Sequence, residues 1–167
     1  MAGRKNMNPG SIILGADHAG FALKEKIKEL LEGRGLAVTD AGTFGPASAD
    51  YPDFGAEVAT RVAAGEFPAG ILICFSGVGM AIVANRFPGV RAALALDEET
   101  AQASRRHNDS NILVLAGGKT TPEAAARIVE AWLSTPFEGG RHARRLAKIR
   151  DIENRLHGQQ EMKNKEN

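Results

Sequence analysis

The stretch GILICFSGVGM, Gly70 to Met80, decides how this chain is read. Its first five residues are all apolar or glycine, as expected for a parallel strand with helices on both faces. Ser76, Gly77, Val78 and Gly79 then open what reads as a helix, Gly77–Asn85. A buried strand, a glycine turn and a helix in succession are the opening of a βαβ unit. Glycines let the backbone come close to a ligand. Free N–H groups at a helix start attract anions or a developing oxyanion. The same dipole favours the thiolate form of a neighbouring cysteine, so Cys74 is a candidate base or nucleophile. The position suits a buried structural cysteine equally well.

Working outward, the same alternation recurs on both sides. Ser11–Ala16 (SIILGA) reads as a buried strand. Gly20–Gly33 follows with Phe21, Leu23, Ile27, Leu30 and Leu31 at helical spacing, stopped by Gly33 and Gly35. Leu36–Asp40 is a second strand, Gly42–Asp53 a polar loop, and Phe54–Ala64 a helix with Asp53 as its N-cap. After the central stretch come a strand at Val90–Leu96 and a helix at Asp97–Arg106, with Glu98 and Glu99 favouring its dipole. A fifth strand at Asn111–Leu115 leads to a helix at Thr121–Leu133, opened by Pro122. Five alternations argue for an α/β fold: a three-layer αβα sandwich around a five-stranded, parallel, Rossmann-like sheet. Beyond Phe137, Gly139–Arg155 carries five arginines, with Leu146, Ile149 and Ile152 at helical spacing, so a C-terminal helix closes the fold, packed on the body or on a second subunit. Residues 1–10 read as a disordered leader, 11–157 as one domain with a helical tail, and 158–167 as a frayed end.

Composition narrows the function classes. Lys and Arg number 21 against 20 Asp and Glu, a balance that argues for neither a nucleic-acid nor a membrane partner. A single cysteine excludes an internal disulfide framework, and a cytoplasmic, reducing location follows as the default. The basic leader lacks the apolar core of a secretory signal, and no apolar run reaches the roughly 18 residues of a spanning helix. Aromatics make up 5% while Gly numbers 19, which suits ligand-binding turns better than a base-stacking platform.

Open parallel sheets bind ligands beyond the carboxyl ends of their strands. That rule singles out Asp17 and His18 after the first strand, Thr43, Asp50 and Tyr51 after the second, and Cys74 to Gly79 after the third. His107, Asn108, Asp109, Ser110 and Asn111, at the entrance to the fifth strand, add a fourth polar junction, and the four suggest one shared crevice. The glycine turn lacks the Lys-Ser/Thr of a Walker A loop and the third glycine of a dinucleotide fingerprint, which counts against a nucleotide-dependent oxidoreductase. His18, His107, His142 and His157 have no zinc-ligand spacing, so no metal is expected. His18 and His107 stand beside aspartates, where a titrating role fits. Arg141, Arg144 and Arg145 can clamp a phosphate or simply form a solvated helix face.

Six segments together resemble the ribose-5-phosphate isomerase type B family, which includes the galactose-6-phosphate isomerase subunits. They are GADHAGFALK (Gly15–Lys24), DAGTF (Asp40–Phe44), DYPDF (Asp50–Phe54), GILICFSGVGMAIVANRFPGVRAAL (Gly70–Leu94), SRRHNDSNIL (Ser104–Leu113) and AWLSTPFEGGRHARR (Ala131–Arg145). The resemblance runs from about Ser11 to Glu153. It implies an aldose–ketose isomerase of phosphosugars that works through a cis-enediolate, without cofactor, at a site between two subunits of a homodimer, with a homotetramer also open. By the same resemblance, Cys74 would be the base and Ser76 would pass protons between the two oxygens. Backbone N–H groups of Gly77, Val78, Gly79 and Met80 would stabilise the enediolate. His107 would open the sugar ring, with Asp17 on the ring-oxygen side. His18, Arg141 and Arg145 would hold the phosphate, and Tyr51 and Asn108 would line the sugar site.

Two positions depart from the family pattern. Phe75 stands where the family commonly has glycine, its ring set either to narrow the pocket or to point into the core. Lys119 is the nearest candidate for a phosphate-binding arginine that the family often carries after the fifth strand. Ribose 5-phosphate is the expected substrate. Galactose 6-phosphate, allose 6-phosphate, a tetrose phosphate, or binding without turnover because of Phe75 remain open as alternatives.

Overall fold

The structure, a computed structural model, describes residues 9–165. Its elements run β1 (Ser11–Ala16), α1 (Phe21–Gly33), β2 (Ala37–Asp40), α2 (Tyr51–Ala63), β3 (Gly70–Cys74), α3 (Val78–Ala84), β4 (Ala92–Leu94), α4 (Glu98–Asn108), β5 (Ile112–Ala116), α5 (Pro122–Ser134) and α6 (Arg141–Lys165). The five strands form one sheet in the order β2-β1-β3-β5-β4, and every pairing is parallel. This is the three-layer α/β architecture expected from the alternation.

Side-chain alternation along the strands sorts the core into two layers. Ile71 and Ile73 of β3 join Leu23, Ile27 and Leu31 of α1 and Ile128, Val129 and Trp132 of α5 on one face. Leu72 and Cys74 join Val58 and Val62 of α2 and Met80 of α3 on the other. Each such fully buried aliphatic side chain stabilises the fold by about 1.5–3 kcal/mol. The chain leaves β1 toward β2 on one side and returns to β3 on the other. The topological switch, where ligands of such sheets bind, therefore lies at the carboxyl ends of β1 and β3.

Several boundaries differ from the sequence reading. Helix α2 starts at Tyr51, with Asp50 rather than Asp53 as its N-cap residue, because Pro52 favours the first turn of a helix and opens it earlier. Strand β4 is shorter than Val90–Leu96. It is the sheet edge, and the side chain of Asn85 takes both the N–H and the carbonyl of Ala92 at 2.9 Å, standing in for a further strand. Helix α6 continues through the stretch expected to fray and ends at Lys165. A helical glycine such as Gly158 costs only about 1 kcal/mol, and its neighbours Gln159, Gln160, Glu161 and Met162 are good helix formers. Of the expected leader, residues 1–8 lie outside the described residues, as do 166 and 167 of the tail. Pro9 is buried, and the Gly10 carbonyl accepts from Ala37 N–H at 3.2 Å.

Candidate active site

Three loops meet at the carboxyl end of the sheet. After β1, Asp17 is 6% exposed and its Oδ1 accepts the N–H of Gly20 at 2.9 Å. Gly20 has no room for a side chain: a Cβ there would lie 2.5 Å from the carbonyl oxygen of Ile73. The tight turn holds the aspartate against the end of β3. His18 projects outward, and Ala49 N–H donates to its Nδ1 at 3.2 Å, tying it to the loop after β2. That loop is itself fastened by buried Lys24, which pairs with Asp40, whose other oxygen accepts Gly42 N–H at 2.9 Å.

After β3 comes the turn that the sequence singled out. Gly77 has φ +77°, and a Cβ would lie 2.4 Å from Leu94 Cδ1. Gly77→Ala is therefore expected to lower stability by about 1–3 kcal/mol, measured by urea unfolding, since backbone strain remains even if Leu94 moves. Ser76 Oγ accepts Val78 N–H at 3.3 Å. The Tyr51 ring lies on Gly79, where a Cβ would be 2.7 Å from its Cε2. Met80 is fully buried, so only its backbone faces the turn, whereas Val78 is exposed. Cys74 ends β3 directly before this turn. It is 4% exposed and belongs to the buried layer with Met80 and Val114, so it is both a core residue and the last residue before the mouth.

Phe75 does not enter the core. It is 61% exposed, and its ring covers Gly118, where a Cβ would lie 2.3 Å from the ring edge. A side chain at 118 would displace the Phe75 ring from this position. Lys119 is exposed in the same turn.

The fourth junction is elsewhere. Strand β5 runs parallel to β3, with Gly70 opposite Ile112 and Cys74 opposite Ala116, so residues entering β5 lie at the amino end of the sheet. His107 and Asn108, at the end of α4, are separated from Cys74 by at least the strand length, roughly 13 Å. Arg141 and Arg145, on the first turns of α6, lie at this same amino end. The expectation of one crevice fed by four junctions is corrected. Within a single chain, Asp17, His18, Tyr51, Cys74, Ser76 and the glycine turn form one cluster, and His107, Asn108, Arg141 and Arg145 form another.

The second cluster is rigidly built. Arg105 is buried and donates to Asp109 at 2.8 Å and to the Ser110 carbonyl at 2.6 Å; burial lowers its pKa and Asp109 opposes that. Trp132 Nε1 donates to Ser110 Oγ, which also bonds Ser104 Oγ, both at 2.8 Å. These contacts brace the end of α4 on either side of His107. The His107 ring stacks on that of His142, with centroids 4.5 Å apart and planes 13° from parallel. Glu138 joins them, the three ligand atoms lying within 4.8 Å of one another. Cofacial rings direct their lone pairs side by side, not at one point, and two arginines adjoin them, so the trio does not have the form of a metal centre. The sequence reading gave His142 no role beside His107. No signal in the sequence marked it, since its burial and its stacking on His107 are decided by how α6 packs against the end of α4.

Known proteins share this architecture. A family model described as Ribose/Galactose Isomerase matches residues 12–149. Ribose-5-phosphate isomerase B of Escherichia coli (strain K12) is 46% identical over 144 residues, covering 86% of this chain and 97% of that protein. The structure of Clostridium thermocellum ribose-5-phosphate isomerase B superposes with a TM-score of 0.86 at 46% identity, over 87% of this chain and 99% of that one. The Mycoplasma genitalium ribose-5-phosphate isomerase B, solved with bound ribulose-5-phosphate, gives a TM-score of 0.83 at 40% identity, over 86% and 96%. None of the described helices is long and apolar enough to cross a membrane. With the fold matched almost end to end and the family model spanning β1 to the first turns of α6, this chain belongs to the ribose/galactose isomerase family.

Proposed function

We propose that this sugar-phosphate isomerase interconverts ribose 5-phosphate and ribulose 5-phosphate, at a site assembled from two copies of the chain. The observation that carries the reading is the split of the polar residues between opposite ends of one sheet. One phosphopentose would have to span at least the roughly 13 Å of a strand to meet both groups in a single chain. Two copies packed carboxyl end to amino end bring the two clusters together. Exposed apolar side chains support such packing at both ends: Phe44, Val78, Ile82 and Leu96 around the carboxyl end, and Ile149, Ile152 and Leu156 along α6.

In this reading His107 of one copy takes the proton of the anomeric hydroxyl, and the ring opens with Asp17 of the other copy near the ring oxygen. An imidazole can both take and return a proton, which suits a step that must also run backwards. The Cys74 thiolate then removes the C2 proton and returns it to C1. The acidity of that C–H group rises only if the developing enediolate is stabilised, which backbone N–H groups of the turn from Gly77 to Met80 would do. Ser76 moves a proton between the two oxygens. His18, Arg141 and Arg145 hold the phosphate, and Tyr51 and Asn108 line the sugar. The remote phosphate grip fixes the reacting carbons against the base. A cytoplasmic setting would keep the thiol reduced.

Incubation with ribose 5-phosphate is expected to yield ribulose 5-phosphate, detected by its ketone. Binding of several phosphosugars without turnover of any would instead mark a binding protein. Phe75 favours a second reading, in which the physiological substrate is another phosphosugar shaped by the exposed ring. Assays of Phe75→Gly over a panel of aldose phosphates test this. A shift in preference toward ribose 5-phosphate of about tenfold would make Phe75 the specificity residue.

A further inference from the structure

We propose that His142 is a positioning residue for the reaction, holding the His107 ring in the orientation it needs to open the sugar. The inference rests on the role given to His107 above. Three features of the structure carry it. The two imidazoles are stacked nearly parallel at 4.5 Å, an arrangement that removes rotation of the His107 ring about its χ2 bond. His142 is 5% exposed, far more enclosed than the half-buried His107 it supports, so it serves as a fixed wall rather than a ligand-facing group. The wall is itself anchored. Gly139 and Gly140, at φ +67° and +54°, turn the chain sharply into α6, Glu138 N–H donates to the Arg106 carbonyl at 3.1 Å, and His142 N–H donates to the Gly139 carbonyl at 3.0 Å.

The charges around His142 suit this role. His107 faces it from α4, Glu138 from the connection before α6, and Arg141 and Arg145 from α6 itself. Arg141 Nε lies 3.4 Å from His142 Nε2, and Glu138 Oε2 lies 3.7 Å from the same nitrogen. Burial, then His107, Arg141 and Arg145, hold His142 below the ordinary histidine range, against the opposing pull of Glu138. A neutral ring stacks on His107 in either of its protonation states and does not compete for the proton in transit.

Sugar chemistry separates this role from general support. Ribose 5-phosphate is a closed furanose and must be opened. Ribulose 5-phosphate is acyclic, because its O5 is esterified and no other hydroxyl can close a five-membered ring. Exchange of its C1 hydrogen with deuterium from D2O needs the base and the enediolate but no ring opening. His142→Ala is expected to lower kcat/KM for ribose 5-phosphate by about tenfold or more, while C1 exchange into ribulose 5-phosphate stays within about twofold of wild type. His142→Phe, which retains a flat ring against His107, is expected to recover most of the loss. Wild-type conversion of ribose 5-phosphate by His142→Ala, or an equal fall in conversion and exchange, would overturn the proposal. His107→Ala, measured in parallel, keeps the two ideas apart. If it too leaves ribose 5-phosphate turnover intact, the role of His107 is what fails. If it slows conversion while His142→Ala does not, only the positioning role fails.

Discussion

Cys74→Ala will lower kcat for ribose 5-phosphate by roughly 10³-fold, and will lower C1 exchange into ribulose 5-phosphate by a similar factor, because both require proton removal from carbon. The paired loss distinguishes the base from His107 and His142, whose variants are expected to spare exchange. Folding should suffer little. The thiol is packed in the layer with Met80 and Val114, and trimming one buried sulfur to a methyl group costs about 1 kcal/mol. Measuring urea unfolding beside the kinetics therefore separates chemistry from stability. Wild-type turnover by Cys74→Ala would return the residue to the purely structural role that its burial also permits. The proposed mechanism would then have lost its base.

Mixing two inactive variants should restore activity. If the site is shared, Cys74→Ala damages the carboxyl-end half and His107→Ala the amino-end half. A heterodimer of the two holds one site with both defects and one with neither. For equal amounts, exchanged freely between symmetric dimers, half the dimers are mixed, and half the sites in each are intact, so recovery approaches about a quarter of the wild-type rate. Neither variant alone should reach that level. A site contained within one chain predicts no recovery at any ratio. Recovery must also depend on subunit exchange: brief dilution and reassembly should speed its appearance. If the mixture stays inactive while mass measurements show mixed dimers, the shared site is refuted even though each residue may still be needed.

Most of the fold was legible because its signals are local. The apolar runs at Ser11–Ala16 and Gly70–Cys74, the helical spacing of Phe21 to Leu31, and Pro122 at a helix start each act within a few residues of themselves. The start of α2 and the end of α6 were misread although their signals are local; elsewhere a distant contact decided. Asn85 ends β4 by bonding Ala92 across the edge of the sheet, and nothing within Val90–Leu96 announces that. The Phe75 ring turned outward over Gly118, a partner 43 positions away that only the parallel pairing of β3 with β5 brings near.

The candidate site divides in the same way. Residue order alone established the α/β alternation, the glycine turn after Cys74, the kinship carried by six motifs and the identities of the polar residues. It could not say on which end of the sheet each polar residue stands. That depends on strand direction: in a parallel sheet a strand's exit and its entrance are opposite ends, and Cys74 occupies an exit while His107 guards an entrance. Only the folded chain separates them by a strand's length, stacks His142 on His107, and so leaves two groups of polar residues at opposite ends of one sheet.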